Sequence, residues 1–200
     1  MRVTFAHGLW GSTDSGKVDW MREQGWEVLP LDMRQHGWDQ AAQTQVVLEA
    51  IDHHGPFDVL VGSSFGGLAT ANAASQRPDL DLKLVLLAPA FGYADLIAAD
   101  HGEAGLAEWE ATGTKSFHPP GWDAPVSLPS SFVERSRTMS WPAVQHPAAI
   151  LHGSGDDMVP LASSQRVVDA HPHVHLEVVD DDHRLSESYE AMGRLIRSIA

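Results

Sequence analysis

The sequence predicts an α/β fold: a doubly wound, mostly parallel sheet of about six strands with helices on both faces. Three observations predict it. Short apolar runs alternate with helix-patterned segments along the chain. Most of those runs are nearly continuous in apolar residues, as strands covered on both sheet faces require. The 200 residues suffice for a single core, and with no cysteine among them neither disulfides nor zinc–cysteine sites contribute.

The strands are read in order as RVTFA (Arg2–Ala6), EVLPLD (Glu27–Asp32), DVLVGS (Asp58–Ser63), KLVLLAP (Lys83–Pro89), AAILHG (Ala148–Gly153) and HLEVVDD (His175–Asp181). Helices fit between them. QTQVVLEAIDHHG puts Val46, Val47, Ala50 and Ile51 on one face and ends at Gly55 as a C-cap. LSESYEAMGRLIRSIA does the same with Leu185, Met192, Leu195, Ile196 and Ile199. Residues 91–141 break the rhythm. They offer no strand, only a helical patch (YADLIAAD, GLAEWEATG) and the proline-rich FHPPGWDAPVSLP. The segment carries Trp109, Phe117, Trp122, Phe132 and Trp141, too many aromatics for a free linker. It is expected to be a cap over the C-terminal edge of the sheet, within one domain spanning 1–200.

The bulk properties exclude several roles. A formal charge of −14 lacks the basic surface that nucleic acid needs. No stretch approaches a membrane span, so a soluble, cytoplasmic chain without a membrane partner is expected. HPHVH (His171–His175) would align three imidazoles, but Pro172 interrupts pairing and one extended strand surrounds a tetrahedral ion poorly; no metal is expected. The acidic run Asp180–Asp182 is expected to cap its strand. With no P-loop and no G-x-G-x-x-G after a strand, no cofactor is expected either.

Chemistry concentrates at strand ends. GSSFG (Gly62–Gly66) fits G-x-S-x-G with Ser64 at its centre, after a strand and before a helix. That placement describes a turn tight enough to display the serine hydroxyl at the sheet edge, with small neighbours leaving room for the bend. A serine hydroxyl needs a base, and the base needs an orienting acid. Downstream, ILHGSGDDMVP runs from a strand into a polar turn, and VVDDDHRL ends a strand near His183. All three lie where open parallel sheets place their sites.

On HGLWGS, GSSFGG, LHGSGDDMVP and DDHRL, the chain resembles the α/β-hydrolases, in particular small bacterial esterases with a truncated sheet. The resemblance spans nearly everything except 91–141. It implies the chain order serine, acid, histidine. Its H-G-x-x-D-x-x-V-P pattern, laid on His152–Pro160, selects Asp156 as the acid, with Asp157 the nearest rival, and selects His183 as the base. It also implies an oxyanion hole from the backbone N–H groups of Leu9 and Phe65. His7 is expected to buttress that loop. Trp10 either lines an acyl pocket or packs the core, and Trp109 and Trp122 are expected around the pocket. Starting at the strand before HG, the chain is expected to lack the leading strands of larger members, leaving a sheet edge either to pair in a dimer or to be protected by loops. The implied activity is hydrolysis of a small-molecule ester or thioester through an acyl-enzyme; the alternative is a ligand-binding sensor on the same scaffold. A nucleophilic aspartate, as in dehalogenases and epoxide hydrolases, is absent from the elbow.

Overall fold

The computed structural model describes all residues, 1–200. Six strands form one fully parallel sheet: β1 (Arg2–Ala6), β2 (Glu27–Leu31), β3 (Val59–Ser63), β4 (Leu84–Leu87), β7 (Ala148–Gly153) and β8 (Val174–Val179). The spatial order is β2-β1-β3-β4-β7-β8. The direction of winding therefore reverses between β1 and β3, where ligands bind at the C-terminal ends of such sheets.

Side-chain alternation builds two cores. Val3, Phe5, Val59, Val61, Val85, Leu87, Ala149 and Leu151 face one side, with α1 (Gly16–Glu23) and α7 (Tyr189–Ile199). Leu60, Leu84, Leu86, Ala148 and Ile150 face the other, beneath α2 (Gln40–His54), α3 (Phe65–Ser75) and α6 (Leu161–Ala170). Each fully buried Val or Leu contributes roughly 1.5–3 kcal/mol of transfer free energy. α3 is buried on every side, which FGGLATANAAS permits because its residues are mostly small.

Several boundaries differ from the sequence expectation. α2 begins at Gln40, where the Asp39 carboxylate accepts the Ala42 N–H at 2.9 Å, a capping signal upstream of the apolar stripe. The last helix begins at Tyr189; Leu185 lies in the preceding turn at φ 53°, its side chain buried in the core beneath α1 and α7.

The larger correction is the cap. Between β4 and β7 run α4 (Tyr93–Thr112), a hairpin of β5 (Thr114–Phe117) and β6 (Val126–Pro129), and α5 (Ser131–Met139). The sequence offered no strand here, because four-residue strands are too short for alternation to register. α4 is kinked at Gly102, whose φ of 65° and ψ of 168° interrupt the helix. No helix is long and apolar enough to cross a membrane.

Candidate active site

Ser64 sits between β3 and α3 at φ 55°, ψ −120°, a conformation that an L residue adopts at a cost of about 1–3 kcal/mol. The neighbours make it feasible. A Cβ on Gly62 would lie 2.5 Å from Thr70 Oγ1 and 2.7 Å from the Gly66 carbonyl oxygen; one on Gly66 would lie 2.3 Å from the His7 carbonyl oxygen. Only glycine lets α3 start this close to the ends of β1 and β3. Gly8 is less confined, since its Cβ would stand 3.2 Å from that of Ser64.

The Ser64 hydroxyl donates to His183 Nε2 at 2.9 Å, and His183 Nδ1–H donates to Asp156 Oδ2 at 2.7 Å. These partners assign the neutral Nδ1–H tautomer. His183 is 11% exposed at its side chain and Asp156 1%. Asp156 lies in the turn after β7, where Oδ1 accepts the N–H groups of Met158 (2.9 Å) and Val159 (2.8 Å). Burial alone would raise its pKa; hydrogen bonds from His152, His183 and Val159 outweigh burial and hold it below the usual carboxylate range. Asp157 is exposed and has no part in this chain of bonds.

Facing Ser64 is the turn after β1. His7 is buried at 2% exposure, donates from Nδ1 to the Gly8 carbonyl at 2.8 Å, and accepts the Met33 N–H at Nε2 over 3.3 Å. Burial lowers its pKa, the Gly8 bond opposes, and Arg34 adds to the lowering, so a neutral ring fits both bonds. It fixes the peptide that carries the Leu9 N–H, and that N–H meets no protein acceptor. The Phe65 N–H opens α3, where first-turn donors lack an intrahelical partner. The Leu9 and Phe65 N–H groups, one of them at a helix N-terminus, are thus two donors without a protein acceptor, on the two turns that meet where Gly8 stands against Ser64.

Above them lies a cavity of about 1170 Å³. One wall is a run of rings. Phe65 meets Tyr93 at 4.8 Å between centroids and Phe132 at 5.4 Å; Phe132 meets Trp109 at 5.8 Å, and Trp109 meets Phe117 at 5.2 Å. Trp10 continues the run to the β1 turn, 6.2 Å from Phe117. The Tyr93 phenol is pushed up in pKa by burial and then by Asp100. The other end is polar, with Ser12, Asp14, Lys17, Arg184 and Tyr189; Lys17 Nζ donates to the Arg184 carbonyl at 2.5 Å.

Trp10 and Trp109 line this cavity, but Trp122 does not. The hairpin loop carries Trp122 outward onto Trp38 (6.2 Å) and under the Arg34 guanidinium (5.1 Å), while His118 Nε2 holds its carbonyl at 2.9 Å. The ring wall itself was not legible as a site, since nothing in periodicity pairs Phe65 with Phe132 or Tyr93. His101, Lys17 and Arg184 also line the cavity, and of these only Arg184, beside His183 in the chain, carries a sequence signal.

The alpha/beta hydrolase family model matches residues 5–194. Among solved structures, alpha/beta hydrolase domain-containing protein 10 from mouse superposes with a TM-score of 0.77 at 24% identity, covering 99% of this chain and 87% of that one. Est1E from Butyrivibrio proteoclasticus gives 0.74 at 21% identity, with 98% and 85% covered. An esterase from Exiguobacterium antarcticum gives 0.68 at 16%, with 100% and 91% covered. No match is found among curated proteins. With the family model spanning nearly its whole length and the sheet wound in the family's manner, the chain belongs to the alpha/beta hydrolase family.

Proposed function

We propose that this protein is a serine hydrolase that cleaves small carboxylic esters, or thioesters, through an acyl-enzyme. The observation that carries the proposal is the unbroken chain Asp156–His183–Ser64 at a strained turn with two free backbone donors beside it. Ser64 Oγ attacks the carbonyl carbon as His183 Nε2 takes its proton. Asp156 stabilises the imidazolium and holds its tautomer. The N–H groups of Leu9 and Phe65 hold the oxyanion, each worth roughly 3 kcal/mol in the transition state. Collapse expels the alcohol or thiol with the proton from His183. Water then attacks the acyl-Ser64 ester, giving its proton to His183, and the free acid leaves.

The aromatic end of the cavity suits an apolar or aryl acyl group, and the polar end suits the leaving group. Est1E from Butyrivibrio proteoclasticus, which shares the fold, also forms a complex with ferulic acid, and this supports aryl acyl groups as the first to try. Reaction with a fluorophosphonate, read by mass spectrometry of the labelled peptide, tests the proposal. Label on Ser64, absent in Ser64→Ala, together with turnover of phenyl or alkyl esters, is expected. Tight ligand retention with neither labelling nor turnover would instead establish a binding protein.

A further inference from the structure

A second histidine stands behind the acid. His152, on β7, is 0% exposed, and its ring touches three groups. Nδ1 lies 2.8 Å from Ser164 Oγ on α6, itself 0% exposed. Nε2 lies 3.0 Å from the Val159 carbonyl oxygen and 3.2 Å from Asp156 Oδ2. A carbonyl oxygen only accepts, so Nε2 carries the proton; Nδ1 then accepts from the Ser164 hydroxyl. The Nε2–H bonds Val159 directly and stands against the carboxylate oxygen that His183 uses. Asp156 is therefore met by four nitrogens: two backbone N–H groups at Oδ1 and two imidazoles at Oδ2. Val159 is held on both sides, its N–H by Asp156 and its carbonyl oxygen by His152.

We propose that His152, its tautomer set by Ser164, is a positioning residue that locks the Asp156 turn so that Oδ2 meets His183 Nδ1–H. The proposal rests on the serine hydrolase assignment for its catalytic meaning, but its geometry is independent of any substrate. A strand otherwise reading AAILHG has no packing need for a buried imidazole. A merely structural residue would need only the Val159 bond, not the contact with the carboxylate.

Without the His152 N–H the Asp156 turn is free to shift, Oδ2 no longer meets the His183 Nδ1–H squarely, and the hydrogen bond between them loosens. The charged groups near His183 stay in place: Lys17 and Arg184, which line the same cavity, and Asp181 and Asp182, which precede His183 in the chain.

The test compares His152→Phe, which keeps volume and loses both bonds, with His152→Gln, which offers an amide N–H and an acceptor. The readout is the low-field Nδ1–H resonance of His183 in the free protein. Fluorophosphonate labelling rate against pH is read alongside. Expected for His152→Phe are an Nδ1–H signal broadened and moved to higher field, as its hydrogen bond loosens, and labelling about tenfold slower at neutral pH. His152→Gln is expected to restore most of both. Should His152→Phe not fold, Ser164→Ala carries the test and is expected to move the resonance in the same direction by less. A folded His152→Phe, or Ser164→Ala in its place, with the wild-type resonance overturns the proposal. A wild-type protein that no fluorophosphonate labels refutes the hydrolase assignment instead, and the resonance still decides the role of His152.

Discussion

Gly66→Ala is the most direct test of how closely the elbow is packed. The added Cβ would stand 2.3 Å from the His7 carbonyl oxygen and 2.4 Å from that of Ala6. Ordinary carbon–oxygen contact needs about 1 Å more, and both obstacles are backbone at the end of β1, which cannot rotate away. Relief requires α3 and the β1 turn to part by that distance. Overpacking of this kind costs about 1–3 kcal/mol, hence roughly 3–10 °C in Tm for a chain of this size. The same separation moves the Phe65 N–H away from the Leu9 N–H, and 1 Å of misplacement costs on the order of 100-fold in rate. Gly67→Ala is the internal control, because its nearest contacts are the Gly62 carbonyl oxygen at 3.0 Å and Pro89 Cβ at 3.2 Å. A few tenths of an ångström suffice there, and the gain in helix propensity of up to ~1 kcal/mol offsets the crowding. Thermal unfolding and kcat/KM on a chromogenic ester should rank the variants Gly67→Ala, Gly62→Ala, Gly66→Ala in order of increasing damage. A Gly66→Ala protein with wild-type Tm and turnover, or one less damaged than Gly67→Ala, refutes the packing described for the elbow.

Other expectations follow from the same geometry. Asp156→Asn should lower kcat on the order of 10⁴-fold through the wrong His183 tautomer, whereas Asp157→Asn should leave it near wild type; steady-state kinetics separate the two. Because Asp156 is held below the usual carboxylate range, it stays ionised through mild acid, and its own protonation should add nothing to the acid limb of kcat/KM. The depressed Asp156 pKa also stabilises the fold fully above pH ~3.8, and that contribution fades as pH falls below it; urea unfolding between pH 5 and 2 reads the loss. Trp109→Ala should cost roughly 3–5 kcal/mol of stability and weaken discrimination among acyl groups, while Trp122→Ala should leave acyl preference unchanged, as a panel of esters would show.

The sheet was legible because each central strand is apolar on both faces, so Val59–Val61 and Leu84–Leu87 announce themselves without alternation. The site was legible to the extent that it hangs on strand ends: Ser64, Asp156 and His183 each follow one, and backbone connectivity alone brings them to the same edge. Two kinds of feature were hidden. The cap hairpin pairs Thr114–Phe117 with Val126–Pro129 across a loop whose closure no local pattern encodes. His152 was visible in its motif, yet its contacts with Ser164 and Val159 depend on how α6 packs on β7. Trp122 failed as a pocket residue for the same reason. Its composition suggested a wall, and the loop carried it to Arg34 instead.

The run of rings that walls the cavity is also an optical instrument. Of the seven tryptophans, Trp10 and Trp109 border the cavity, while Trp20 and Trp26 pack together beneath the opposite face of the sheet, 6.0 Å apart. An acyl group entering the cavity displaces water from the half-buried Trp10 and changes its emission. Occupancy by ester, product acid or inert analogue is then measurable from native fluorescence, without a label and without a turnover event.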